Sequence, residues 1–70
     1  MNKDDSIRLT PREQEVMQWS ADGKSCSDIG VILGISPYTV VFHRKNVCEK
    51  VGAVCIVQAV VECIRRGLIR

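Results

Sequence analysis

Residues 25–51 read SCSDIGVILGISPYTVVFHRKNVCEKV, and the helix start and stop signals in this segment predict the central part of the architecture. Ser25 is a typical helix cap, and Gly34 should end the helix that follows, because glycine adopts the left-handed conformation without steric cost. Ser36 and Pro37 then repeat the start signal, so a longer helix should run to the end of the stretch. A short helix, a tight turn and a longer helix predict a helix-turn-helix.

The segment from Pro37 to Val51 has two chemically different faces. Helical spacing puts four side chains on one stripe that should face the core: Val40, His43, Val47 and Val51. The opposite face carries Val41 and Phe42, where an isolated helix should be polar, with Lys45 beside them. Apolar groups contact the thymine methyl and lysine donates to guanine, so these three residues are candidate readers of bases in a major groove. The alternative is that Phe42 belongs to the core.

The short second helix should pack against its neighbours through one apolar stripe. Its members are Ile29, Ile32 and Leu33. In the turn that follows, Ile35 is the apolar residue expected to fill the gap between the two helices.

The residues before this stretch predict one more helix. The motif Thr10-Pro11-Arg12-Glu13 combines a capping box with a proline in the first helical position. The helix should run from Pro11 to about Ala21, and Gly23 should stop it. Residues 1–8 are expected to form a flexible N-terminal segment, so the domain should span residues 9–70.

The residues after the stretch predict a fourth helix that is more apolar than a small core requires. It should begin near Val54 or Cys55, neither of which can cap it, and end before Gly67, after which an apolar tail folds back. Only Gln58 and Glu62 interrupt its apolar residues before the last turn. The surplus favours self-association over packing against a missing domain, through four side chains: Val57, Val60, Val61 and Ile64.

Composition restricts the class of protein. The chain has 70 residues, 46% of them hydrophobic and 26% charged, which suits one globular domain, here an all-α four-helix bundle. No apolar run approaches the roughly 20 residues that span a bilayer, and no signal peptide is visible, so we expect a cytoplasmic protein. The net charge of only +2 permits a DNA partner but requires geometry and dimerisation to supply much of the binding.

No catalytic, metal or cofactor site is predicted. The four cysteines form no C-x-x-C pair and should act as reduced, small apolar residues: Cys26, Cys48, Cys55 and Cys63. A redox or metal sensor built on them is a weaker alternative. His43 has no nucleophile or carboxylate pair to join it, so an enzyme is not expected.

The whole pattern resembles the C-terminal DNA-binding domain of LuxR/FixJ-type transcription regulators. The resemblance covers Leu9 to Ile69 and is carried by LTPREQEV (9–16), GKS (23–25), ILGIS (32–36), Thr39-Val40, His43, Asn46, Lys50, Gly52, QAV (58–60) and GLI (67–69). Trp19 and the Phe42-His43 pair are more similar to the autoinducer-binding, quorum-sensing branch than to the phosphorylated response regulators.

The resemblance implies a sequence-specific DNA-binding domain of a bacterial transcription regulator. Such a domain binds a two-fold DNA site as a dimer through the fourth helix, with the third helix in the major groove. It implies that Val41, Phe42 and Lys45 read bases. Six residues should lie near phosphates: Lys24, Ser25, Ser36, Thr39, Asn46 and Lys50. Members usually carry a sensory domain before this one. The alternative from the residues alone is a helical protein-interaction module that uses Phe42 and the fourth helix.

Three features depart from the family's pattern. Gly30 stands where the family usually has alanine, which should weaken the second helix by up to about 1 kcal/mol. Val54-Cys55-Ile56 replaces a polar stretch and removes a helix cap and a possible phosphate contact. Val41 is apolar where many relatives are polar or basic. Together these departures predict an unusual preference among DNA sites.

Overall fold

The computed structural model describes residues 7–70, which form four α-helices. They are α1 (Pro11–Ala21), α2 (Cys26–Leu33), α3 (Pro37–Val51) and α4 (Ile56–Arg65). The part of the chain described contains no strand, and the predicted all-α class is confirmed. The predicted flexible segment, residues 1–8, falls largely outside the described residues. Its last two residues, Ile7 and Arg8, contact the folded domain.

Side-chain caps set the starts of the first three helices. The Thr10 hydroxyl accepts from the Glu13 amide at 3.1 Å, and the Glu13 carboxylate accepts from the Thr10 amide at 3.0 Å, which completes the capping box. Ser25 and Ser36 each accept a hydrogen bond of 3.1 Å from the amide three residues on. α2 ends at Gly34 with a φ of 72°, as predicted for a glycine stop.

α4 begins at Ile56, slightly later than predicted. Its cap residue is Cys55, whose side chain makes no capping hydrogen bond, in agreement with the sequence. The side chain of Gln58 instead reaches back beyond the cap, where its Oε1 accepts from the Val54 amide at 2.8 Å. The segment that leads into α4 is thereby fastened to the first turn of the helix.

The core consists of two clusters that share α1 and α3. The larger also takes side chains from α4 and the C-terminal tail: Met17, Val47, Val51, Ala59, Cys63 and Ile69. The smaller joins α1, α2 and α3: Val16, Ile29 and Val40. Ile35 packs against the smaller cluster, so the expected plug in the turn is confirmed.

The C-terminal tail folds back as predicted and is fastened to α1. Ile69 is buried in the larger cluster and Leu68 packs beside it. The Gln18 side-chain amide donates to the Arg70 carbonyl at 2.5 Å and accepts from the Arg70 amide at 3.0 Å. This paired hydrogen bond closes the tail over the outer side of α1.

One core expectation, for Ile32, is wrong, and the alternative that places Phe42 in the core is excluded. Ile32 is exposed, because α2 is only eight residues long and packs through Ile29 and Leu33, which lie one turn apart on the same side. Phe42 is 58% exposed and does not belong to the core. His43 is half-buried at the edge of the otherwise buried stripe of α3.

The cysteines are all free thiols, but they lie in different environments. Cys63 is buried, and Cys26 and Cys48 are half-buried and pack against the core clusters, as expected of small apolar residues. Cys55 is exposed, so the prediction is wrong for that residue. Burial raises the pKa of the Cys63 thiol, which keeps it protonated and poorly reactive at neutral pH. Within residues 7–70 no group of three His, Cys, Asp or Glu side chains is arranged to hold a metal ion.

No single helix between residues 7 and 70 is long and apolar enough to cross a membrane. α2 and α3 reach that length and composition only when taken together across a bend of 108°.

Candidate nucleic-acid interface

The bend between α2 and α3 has helix-turn-helix geometry. The chain changes direction by 108° through the three residues Gly34, Ile35 and Ser36. Helices in this motif meet at about 90–120°. The Gly30 carbonyl accepts from the amides of Gly34 and Ile35, the second at 2.9 Å, so the turn is tied to the body of α2.

Gly30 is required by the closeness of this turn. A Cβ atom at this position would lie 2.7 Å from the Ile35 carbonyl oxygen and 3.3 Å from the Pro37 nitrogen. Both neighbours are backbone atoms, which cannot swing away as a flexible side chain can. The expectation that Gly30 only weakens α2 is therefore incomplete, because the missing side chain lets the turn pack directly on the helix.

The outer face of α3 is an exposed surface of mixed apolar and basic character. Val41, Phe42 and Lys45, the three predicted base readers, are all exposed. The Phe42 ring meets the His43 ring edge-on with 5.9 Å between centroids, which braces it on the surface. Tyr38 lies one turn earlier and is 86% exposed. It was not among the predicted readers, although its spacing of three residues from Val41 places it on the same face.

Two helix N-termini bring most of the predicted phosphate residues to the surface. Lys24 and Ser25 are exposed at the start of α2. Ser36 and Thr39 lie at the start of α3, where their hydroxyl oxygens are 3.0 Å apart. Apart from the two amides capped by Ser25 and Ser36, the first amides of each helix have no partner within the helix and carry partial positive charge, so both places suit an anion. Asn46 is half-buried farther along α3.

Lys50 lies at the opposite end of α3, where it forms a partly buried ion pair. Its Nζ is 2.6 Å from Oε1 of Glu13 and 3.2 Å from the Arg8 carbonyl oxygen. Glu13 is only 4% exposed. Burial raises the pKa of Glu13, but the hydrogen bonds from Lys50 and Thr10 and the Lys50 charge outweigh it and hold the pKa below its ordinary value. Lys50 thus has a partner within the fold, and its contact with phosphate stays a prediction.

Arg44 turns away from this outer face of α3 toward α1. Its Nε donates to Oγ of Ser20 at 3.0 Å, and its Nη2 donates to the Lys24 carbonyl at 3.0 Å. No local sequence pattern indicates these contacts, because the partners lie 24 and 20 residues away.

α4 presents an unpartnered apolar face. Val57 is 70% exposed, and Val61 and Ile64 are also exposed, whereas Val60 partly packs against the larger core cluster. A groove of about 400 Å³ runs beside this face, lined by the three valines together with residues of α1, the following turn and Arg44. Three of the four predicted dimer residues are therefore exposed, and Val60 is exposed in part.

Comparison with known proteins gives strong matches. The model of the family described as bacterial regulatory proteins, luxR family, matches residues 8–63. The transcriptional activator protein SolR of Ralstonia nicotianae is 52% identical over 64 residues, which cover 91% of this chain and 27% of SolR. The quorum-sensing regulator RhlR of Pseudomonas aeruginosa is 51% identical over 47 residues, which cover 67% of this chain and 20% of RhlR. The chain spans about a quarter of the length of these relatives.

Solved structures agree. The transcription factor GerE superposes with a TM-score of 0.85 at 37% identity, covering 89% of this chain and 92% of GerE. Escherichia coli SdiA gives a TM-score of 0.87 at 36% identity, covering all of this chain and 29% of SdiA.

Proposed function

This chain belongs to the luxR family of bacterial regulatory proteins, whose helix-turn-helix domain binds DNA and catalyses no reaction, and we propose that it binds a two-fold DNA site as a dimer. The observation that carries the proposal is the exposed face of α3, held at 108° to α2. In this arrangement α3 enters the major groove and reads its bases, while the starts of α2 and α3 contact phosphates.

The chemistry of the reading face supports recognition of thymine and guanine. Val41 and Phe42 offer apolar surface to thymine methyl groups, and Lys45 donates to guanine O6 and N7. We add Tyr38 to these readers because it extends the same exposed face by one turn. Phosphate contacts fix the register of the domain, and we assign them to Lys24, Ser25, Ser36, Thr39 and Asn46, with Lys50 as a further candidate.

Dimerisation through α4 fits the weak charge of the domain. With a net charge of +2, one copy gains little from counterion release and should bind weakly alone. The exposed apolar face of Val57, Val61 and Ile64, with Val60 at its edge, gives a surface that a second copy would bury. The two α3 helices of a dimer then bind both halves of a two-fold site together, which gives a higher affinity than one copy has for one half-site.

The relatives support a wider assignment. RhlR is named a quorum-sensing regulator, and we place this chain in the same branch. Because the relatives are about four times as long as the matched part, we propose that a sensory domain precedes this one in the natural protein. A regulator of this kind acts on the chromosome, and we place it in the cytoplasm.

Lys45→Ala should weaken binding to a specific site by about 1–3 kcal/mol and relax the preference at one base pair. The site is first selected from a random DNA pool with the wild-type chain, and affinities are then compared by fluorescence anisotropy. Arg12→Ala removes the same charge from α1, away from the reading face, and serves as the control. Equal affinity and unchanged preference in the Lys45 variant would contradict the groove assignment and favour the protein-interaction module.

Val57→Asp should weaken self-association by at least about tenfold, since it places a charge in a desolvated apolar contact. Sedimentation equilibrium measures the change, and binding to a two-fold site should fall more than binding to a half-site. Val31→Asp makes the same substitution on the exposed side of α2 and should leave association unchanged. A wild-type chain that stays monomeric at high concentration would end the dimer proposal.

A further inference from the structure

We propose that Arg44 is a positioning residue for DNA binding, which holds the turn between α1 and α2 so that Lys24 and the amides at the start of α2 meet a phosphate. The inference rests on the proposed function and names a residue that does not itself touch the DNA. It follows from where the guanidinium donates its hydrogen bonds.

The guanidinium links three elements of the fold. From α3 it reaches Oγ of Ser20, near the end of α1, and the carbonyl of Lys24, in the turn, each at 3.0 Å. The Ser20 hydroxyl in turn donates to the Val16 carbonyl at 2.8 Å, so its remaining lone pairs are oriented toward Arg44. The bond to Ser20 therefore fixes the guanidinium against α1, and its second bond, to the Lys24 carbonyl, holds the turn in place.

The turn is the part of the chain that needs this support. Gly23 adopts a φ of 87°, and the Lys24 amide donates back to the Trp19 carbonyl at 3.1 Å. The Lys24 carbonyl directly precedes Ser25, the cap of α2. A shift of this carbonyl therefore moves the cap and the amide donors that follow it.

Charge adds to the geometry. α1 has no basic residue in its last turn, although cations are favoured at that end of a helix. Arg44 supplies this positive charge from another helix while lying next to Lys45 in sequence. α3 thus carries the proposed base-reading residues on its outer side. On its inner side it carries Arg44, which sets the distance between those residues and the phosphate site at the start of α2. Base and phosphate contacts are kept in one register as a result.

The test uses the full 70-residue chain on its selected DNA site, with Arg44→Gln, Ser20→Ala and Arg12→Gln. Arg44→Gln should lower affinity about tenfold after correction for the folded fraction. Ser20→Ala removes the anchor without a charge change in a helix that tolerates alanine, and should cause a smaller loss. Arg12→Gln has the same charge change as Arg44→Gln and should lower affinity less than twofold.

A double-mutant cycle with Lys24→Ala separates positioning from direct contact. If Arg44 acts through the turn, Lys24→Ala should cost much less in the Arg44→Gln background than alone. The Lys24 amide should also exchange its hydrogen faster in Arg44→Gln. If Arg44 touched a phosphate itself, the two losses would multiply and each variant would lower the salt slope by about one, which would overturn the inference.

Two further results would distinguish a failure of the Arg44 inference from a failure of the proposed function. A loss of affinity that vanishes once the folded fraction is corrected would show a role in stability alone and would also overturn the inference. A wild-type chain that binds no DNA at all would overturn the proposed function instead. If the Lys24 amide exchanged its hydrogen at the same rate in wild type and in Arg44→Gln, the inference that Arg44 supports the turn would be rejected, whatever the DNA measurements show.

Discussion

Glu13→Ala is expected to lower the free energy of unfolding by about 3 kcal/mol. The carboxylate has two partners, the Thr10 amide in the capping box and the Lys50 ammonium at 2.6 Å. Removing it leaves the Thr10 amide without its acceptor and Lys50 with only the Arg8 carbonyl. The break of a buried ion pair costs about 3–5 kcal/mol, reduced here because Lys50 still reaches water. For a domain of this size the melting temperature should fall by roughly 12–24 °C.

Two other variants isolate the cause. Glu15→Ala makes the same change on the same helix at an exposed pair with Arg12, and should cost less than about 0.5 kcal/mol. Glu13→Gln keeps an acceptor for the Thr10 amide but loses the charge, so its stability should fall between those of wild type and Glu13→Ala. Similar melting temperatures for Glu13→Ala and Glu15→Ala would contradict the importance of the pair.

The same ion pair predicts a dependence on pH. The pKa of Glu13 is held below its ordinary value of 4.5 in the folded chain, so ionised Glu13 stabilises the fold above about pH 4.5. That contribution is lost as the pH falls through the folded pKa. The difference in urea midpoint between wild type and Glu13→Gln should therefore narrow between pH 7 and strongly acidic conditions. A difference that stays constant would mean that the charge of Glu13 contributes nothing.

Gly30→Val should also cost about 3 kcal/mol and should remove specific DNA binding in the fraction that folds. Its Cβ would stand 2.7 Å from the Ile35 carbonyl oxygen, and the two added methyl groups would press further into the turn. The turn can relieve this contact only by moving α3 away from α2, which changes the pose of the reading face. Gly30→Ala should be milder, because the gain of about 1 kcal/mol in helix propensity offsets part of the clash.

A second valine variant tests whether the loss of stability in Gly30→Val has a steric cause, with the free energy of unfolding of both variants measured by urea denaturation. Ser27→Val places the same side chain at an exposed position of α2, where no packing is disturbed, and should change stability by less than about 0.5 kcal/mol. If Gly30→Val were as stable as Ser27→Val, the close approach of the turn would not explain why this position is glycine.

The helices could be predicted because their ends are decided locally. Ser25 and Ser36 each cap their helix through an amide three residues away, so the signal lies within one turn of sequence. The start of α4 was predicted less accurately, because the side-chain hydrogen bond near it is accepted by Gln58, which lies inside the helix. Ile32 was wrongly placed in the core because a helix of only eight residues can pack through some of its apolar side chains and leave the others exposed.

The exposed outer face of α3 could be predicted from periodicity, but the residues that hold α3 in place could not. Val41, Phe42 and Lys45 are exposed as helical spacing predicts. The roles of Glu13 and Arg44 depend on partners 37 and 24 residues away, and no local pattern reports such contacts. Similarly, the need for Gly30 arises from a backbone oxygen in the next turn, which only the packed structure brings close.

The clasp between Gln18 and Arg70 bears on how long the domain stays folded. Its two hydrogen bonds join residues 52 positions apart, whereas α2 and α3 are neighbours along the chain. Closing so long a loop costs chain entropy that two exposed hydrogen bonds repay only in part, so we expect this contact to form late in folding. Such contacts set the rate of unfolding and leave the rate of folding nearly unchanged. We therefore expect loss of the Gln18–Arg70 hydrogen bonds to speed the detachment of the tail from α1 more than it slows folding.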